Sequence, residues 1–144
     1  MDKNISNWFI GFEKGIAVLD KSQQEKFFCE CGKNCVQQGL LGFYQDLYNA
    51  VEGDINSFFE RLNNTSGFKS EIIELDKSYY LYFEKCSCAL HTEGYVHIPL
   101  LCECSRQSVM FVMNTLWKDK HFDVEICSTI LRGAKECKLR ITAK

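Results

Sequence analysis

The sequence predicts an α+β fold: N-terminal helices, then hairpin, helix, hairpin, with helices covering one face of a four-stranded antiparallel sheet. Three observations predict it. Apolar residues recur at helical spacing from Ile5 to Leu62 and again from Val109 to Trp117. Strand-forming composition marks 71–75 and 79–85 around a turn, and period-two alternation marks the stretch 121–142. No internal repeat or second composition regime divides the chain, so residues 1–144 read as one domain. Within it, 1–20 form an N-terminal helix and 21–144 a cysteine-rich α+β core.

Taken in order, Trp8, Phe12, Ile16 and Leu19 form an apolar stripe that Ile5 and Phe9 widen, predicting a helix from Ile5 to Asp20. Ser22 with Glu25 three residues on reads as a capping box for a second helix. On that helix Phe28, Cys31 and Cys35 share one face, and Cys29 points elsewhere. Near Gly39 a third helix opens, with Leu40, Tyr44, Leu47 and Val51 together. Gly53-Asp54 ends it and caps a fourth, whose Ile55, Phe58, Phe59 and Leu62 fit the helical template. Asn63 to Gly67 is a stop.

From Phe68 the pattern is strand-like. Glu71 to Leu75 and Tyr79 to Lys85 flank Asp76-Lys77-Ser78, a hairpin turn. If the second strand persists, Cys86 and Cys88 fall on one side of it. Pro99 follows a loop containing His91, Gly94 and His97. Ser105 is the expected N-cap of a helix with Val109, Val112, Met113 and Leu116 on one face. In the closing hairpin, Phe122, Val124 and Ile126 alternate with polar residues. After a turn at Arg132-Gly133-Ala134, so do Cys137, Leu139 and Ile141. The outer sheet face is expected to be solvated or a dimer surface.

Composition narrows the function classes. The chain has 46% hydrophobic and 25% charged residues with a net charge of −2, the balance of a soluble globular protein. Without a basic patch, neither nucleic acid nor an anionic membrane is an expected partner. The start Met1-Asp2-Lys3-Asn4 is no signal peptide and no run is long enough to span a bilayer, so the expected location is cytoplasmic. Nine cysteines in 144 residues fall below the ~8–10% of disulfide scaffolds. An odd count without an export signal points instead to metal ligands or reactive thiols. Cys127 and Cys137 are read as small buried apolar residues.

The other seven cysteines form three groups: Cys29, Cys31 and Cys35; Cys86 and Cys88; Cys102 and Cys104. Zinc takes four thiolate or imidazole ligands, delivered as close pairs from separate segments. The candidate pool is Cys31, Cys35, Cys86, Cys88, Cys102 and Cys104, not all at once. The pairs lack the Cys-x-x-Cys spacing of zinc ribbons, so buried structural cysteines stand beside the metal reading. As a reactive thiol, Cys104 comes first and Cys102 second, because a helix N-terminus lowers a thiol pKa. A nucleophilic thiol needs a base; His91, His97 and His121 are available, and no spacing pairs one with a cysteine. Tyr79, Tyr80, Tyr82 and Phe83 offer an apolar pocket lining, or simply core. Phosphate loops, a Gly-x-Ser-x-Gly elbow and a His-Glu-x-x-His helix are absent from the sequence.

The segment Ser128 to Ile141, with its Gly133 turn and Cys137-Lys138-Leu139-Arg140-Ile141, resembles the closing hairpin of 4-vinyl-reductase-type domains. That superfamily includes trafficking-complex subunits and haem-based nitric-oxide sensors. From Cys29 onward the chain is also similar to small cysteine-rich bacterial proteins related to L-2-amino-thiazoline-4-carboxylate hydrolase. The shared elements are Cys31-Gly32-Lys33-Asn34-Cys35, Cys86-Ser87-Cys88 and Cys102-Glu103-Cys104-Ser105. The resemblance implies an α+β fold, a homodimer and a small-molecule pocket; no hydrolytic residues carry over position by position.

The leading expectation is therefore a small-molecule-binding or sensing domain whose clustered cysteines bind zinc or respond to redox state. Zinc and no cofactor at all stay equally open. The alternatives are a thiol- or zinc-dependent hydrolase of a small cyclic substrate such as a thiazoline carboxylate, and a structural dimerisation module.

Overall fold

The computed structural model describes residues 2–85 and 88–144. Its element order is α1 (Lys3–Ala17), α2 (Lys21–Gln38), α3 (Leu41–Ala50), α4 (Ile55–Asn63), β1 (Phe68–Glu74), β2 (Ser78–Phe83), α5 (Ala89–Thr92), α6 (Cys102–Leu116), β3 (Phe122–Ser128) and β4 (Cys137–Ala143). Single 3-10 turns, Pro99–Leu101 and Ile130–Arg132, precede α6 and β4. The four strands form one antiparallel sheet in the order β1-β2-β4-β3. This is the α+β architecture the patterning predicts. No described helix is long and apolar enough to cross a membrane.

The inner sheet face and the helices make one core. Tyr79, Leu81, Phe122, Val124, Leu139 and Ile141 meet Ile55, Phe58, Phe59 and Leu62 of α4 and Val109, Val112 and Met113 of α6. Tyr79 stacks on Phe59 with ring centroids 4.1 Å apart, and its hydroxyl donates to Asn56 Oδ1 at 2.7 Å. Asn56 also binds Asp76 through its amide group, locking the β1–β2 turn to α4. The void beside Tyr44, Phe58, Leu81 and Met113 measures about 10 Å³, room for at most one water. Tyr79 is therefore core, and Phe83 packs partly buried against that core.

Tyr80 and Tyr82 lie on the opposite face of the sheet. Lys69 and Lys138 sit over the Tyr82 ring, 4.4 and 5.6 Å from its centroid, and Lys138 lies 4.0 Å from that of Tyr80. The Tyr82 hydroxyl donates to Glu71 at 3.2 Å. These cross-strand contacts, not a helix, bury Tyr82 to 7% exposure. The four aromatic residues thus divide between two faces and line no common pocket.

Several local expectations shift. The capping box opening α2 is Asp20 with Gln23, two residues ahead of the expected Ser22 and Glu25. Helix α1 ends at Ala17, so Asp20 is free to serve the next helix. Helix α6 begins at Cys102, not after Ser105, because the Pro99–Leu101 turn already carries helical backbone into it. The second strand stops at Phe83, so Cys88 lies in the connection to α5 rather than on the sheet. On α1, Trp8 is 65% exposed, while Ile16 is buried. The expected stripe does meet the body through Phe9, Phe12, Ile16 and Leu19, while Ile5 and Trp8 lie at its exposed edge. Cys127 is exposed and Cys137 partly buried; the strand pleat turns Cys127 outward with Asp123 and Glu125.

Candidate functional site

The seam between α2 and α6 gathers the cysteines. Phe28, Gly32 and Val36 are the buried positions of α2, and α6 packs directly against Gly32. A Cβ there would stand 2.6 Å from the Cys104 carbonyl oxygen and 3.0 Å from the Ser108 nitrogen. Glycine costs a helix interior about 1 kcal/mol relative to alanine, and this contact is the physical reason for it. Ser108 Oγ lies 2.9 Å from both the Gly32 and Cys104 carbonyl oxygens, so its single proton is shared between the seam and its own helix.

That approach sets Cys31 and Cys35, one helical turn apart on α2, beside Cys104 on α6. Cys88, entering α5, completes the neighbourhood. The four thiols are within electrostatic reach: burial first, then the Cys35, Cys31 and Cys88 thiols, push Cys104 up to about 12, against a smaller lowering by Ser108. Burial, then Cys35 and Glu30, also raise Cys31. The expectation of a lowered Cys104 pKa is therefore overturned. Cys104 does sit in the first turn of α6, but desolvation and like charges outweigh the helix dipole. At neutral pH it is a protonated, weakly nucleophilic thiol.

The remaining candidates separate. Cys102 is buried under the first turn of α6. Cys29 is exposed on the other side of the seam, and Cys86 lies outside the described residues. His91 Nδ1 is 3.3 Å from the Val96 carbonyl oxygen, and its ring is 6.1 Å from that of His97. His121 faces Asp123 at 3.9 Å. Among the described residues, no three His, Cys, Asp or Glu side chains are gathered tightly enough to hold a metal ion as they stand.

The opposite side of the seam is an open cleft of about 410 Å³ lined by Ser22, Glu25, Cys29, Arg106, Met110 and Asp123, among others. Arg106 grips both Glu103 oxygens through Nε at 2.8 and 2.9 Å and donates to the Val124 carbonyl at 3.0 Å. Glu25 lies 3.7 Å from the same guanidinium. Gln107 donates to Glu103 at 3.0 Å.

Sequence reasoning passed over Gly32, Ser108 and the Glu103–Arg106 pair. Their signals were present: a glycine in mid-helix between two cysteines, a hydroxyl four residues after Cys104, and opposite charges at i, i+3.

No protein-family model and no curated protein sequence matches the chain. Among solved structures it is similar to a trafficking protein particle complex subunit 3 from Naegleria fowleri covalently bound to palmitic acid. Identity is 10%, the match covers 98% of this chain and 95% of that one, and the TM-score is 0.43.

Proposed function

We propose that this chain is a sensing domain whose Cys31, Cys35, Cys88 and Cys104 thiols take up zinc. The observation that supports this most is the close approach at Gly32, which holds Cys104 against the Cys31–Cys35 face of α2. Four thiols from three segments match the donor set of a structural zinc site. Their mutual repulsion as thiolates is what a cation among them would relieve. Cys31 and Cys35 are exposed and Cys88 sits in a connection, so side-chain rotation and a small loop movement are what binding requires. Ser108, beside Cys104, supplies an outer hydrogen bond.

The raised Cys104 thiol argues against a fast redox thiol, and zinc binding has to displace its proton. The hydrolase reading needs a base at its thiol, whereas Cys104 meets the Ser108 hydroxyl and three further thiols. A homodimer remains part of this proposal as the assembly of the sensor.

The test uses cobalt(II) in place of zinc on the reduced chain. Tetrahedral thiolate coordination produces strong visible bands and thiolate-to-metal absorption. The expected result is saturation at about one metal per chain, with both signals lost in Cys104→Ser and Cys35→Ser. A featureless spectrum, or one unchanged in those variants, overturns the reading.

A further inference from the structure

Helix α1 meets the body with one side. Phe9 lies against Tyr95 with ring centroids 5.7 Å apart, and Phe12 against Phe27 at 5.9 Å. Glu13 Oε2 accepts the main-chain N–H groups of His97 and Ile98 at 3.2 and 3.1 Å, and Ile16 is buried. On the outward side Asn4, Trp8, Gly11, Gly15 and Val18 recur at intervals of four and three, so they share a face. All are exposed, Trp8 to 65% and Val18 to 83%.

The two glycines of that face are unexplained by the chain itself. Glycine is a poor helix former, and at Gly32 a close neighbour accounts for it. A Cβ on Gly11 or Gly15 would meet nothing within 4 Å among the described residues. Together they leave a shallow recess one turn long. Beside it stands Trp8, its ring stacked on Phe12 at 6.0 Å and 12° and set edge-on to Phe9 at 5.2 Å. A fixed, exposed indole and a recess of glycines on one face are complementary to each other, and no fold of a single chain can join them.

We propose that two copies of this chain pair through α1, laid antiparallel, an inference that names the interface of the homodimer in the reading above and uses none of its metal chemistry. In the register that seats Trp8 over the partner's Gly15, Gly11 lies at the two-fold axis, where the backbones come closest. The charges fit the same register. Asp2-Lys3 opens α1 and Asp20-Lys21 follows it, all four exposed. Lys3 then falls beside the partner's Asp20, and Asp2 beside the partner's Lys21. Each contact occurs twice by symmetry, and the helix dipoles oppose favourably.

Sedimentation of the full-length reduced chain over a range of concentrations tests this. The expected result is a dimer dissociating in about the micromolar range, as suits a contact below standard interface size. Trp8→Ser and Gly15→Gln should each weaken it by about tenfold or more. Gly15→Gln enters open space and favours the helix, so its circular dichroism should show a fully folded chain. Lys3→Glu should weaken the dimer at low salt, with the difference shrinking at high salt. A dimer that all three variants leave intact overturns this interface and keeps the homodimer. A chain monomeric at every concentration overturns both, as does a monomer whose Trp8 emission shifts to the blue on phosphatidylserine vesicles, which would make α1 a membrane surface. None of these outcomes touches the metal reading.

Discussion

The two sides of the α2–α6 seam share a scaffold and differ in how their groups are satisfied. On the cleft side Arg106 is held by Glu103, Glu25 and the Val124 carbonyl, with Glu103 only 13% and Arg106 18% exposed. Arg106, Glu103 and Glu25 pair with one another there, the mark of a structural brace. On the thiol side Cys35, Cys31 and Cys88 are coupled electrostatically to Cys104, and their like charges oppose its ionisation. A closed ion-pair network has little to offer a ligand; a group of like donors is completed by a cation. On the zinc reading proposed above, the difference separates a brace from a receptor.

The largest effect is expected from breaking both sides together. Gly32→Ala, favourable in an ordinary helix, should here cost about 1–3 kcal/mol as its Cβ forces α2 from α6, and metal affinity should fall with it. Urea unfolding and cobalt titration of the same preparation read both effects. A stabilised variant would mean the seam is looser than the 2.6 Å approach implies.

The brace alone is broken by Arg106→Met, which strips Glu103 of its main partner inside a mostly buried site. The expected cost is about 1–2 kcal/mol, with metal stoichiometry unchanged. Loss of metal in this variant would merge the two sides and end the distinction between them.

The receptor alone is broken by Cys104→Ser. Stability of the metal-free chain should change by about 1 kcal/mol or less, while metal binding disappears. A smaller effect sharpens the same point through pH. Cys104 is raised from the usual 9.0 to about 12 in the folded chain, so the native state holds that proton more tightly than the unfolded one. Its contribution is complete below about pH 9 and is lost as pH rises toward about 12. Unfolding of the metal-free chain should therefore show stability declining above pH 9, and less steeply in Cys104→Ser. Tyr79, also raised to about 12 mainly by burial, contributes equally to both proteins.

Much of this arrangement is legible in the residues. Ile55, Phe58, Phe59 and Leu62 are strongly periodic and all buried, and the alternation of Phe122, Val124, Leu139 and Ile141 fixes the inner sheet face. The sequence shows three cysteine groups on separate elements; the approach of α2 to α6 at Gly32 is visible only in the structure. The sign of the Cys104 shift was not legible, because sequence shows the helix start but not the burial and the three thiols around it. Trp8 was misplaced because helical periodicity gives the centre of the apolar stripe, here Phe9, Phe12 and Ile16, and not how far the body covers its edge. Cys29 shares a segment with Cys31 but opens onto the cleft, since two residues along a helix turn through about 200°.

Zinc content and thiol protection on tag-free chain purified without oxygen test the central claim most directly. The account predicts about one zinc per chain, with Cys31, Cys35, Cys88 and Cys104 alkylating only after chelation and Cys29 and Cys127 reacting at once. A chain free of zinc that takes none up when supplied, its four seam thiols reacting as their exposure alone dictates, would contradict it.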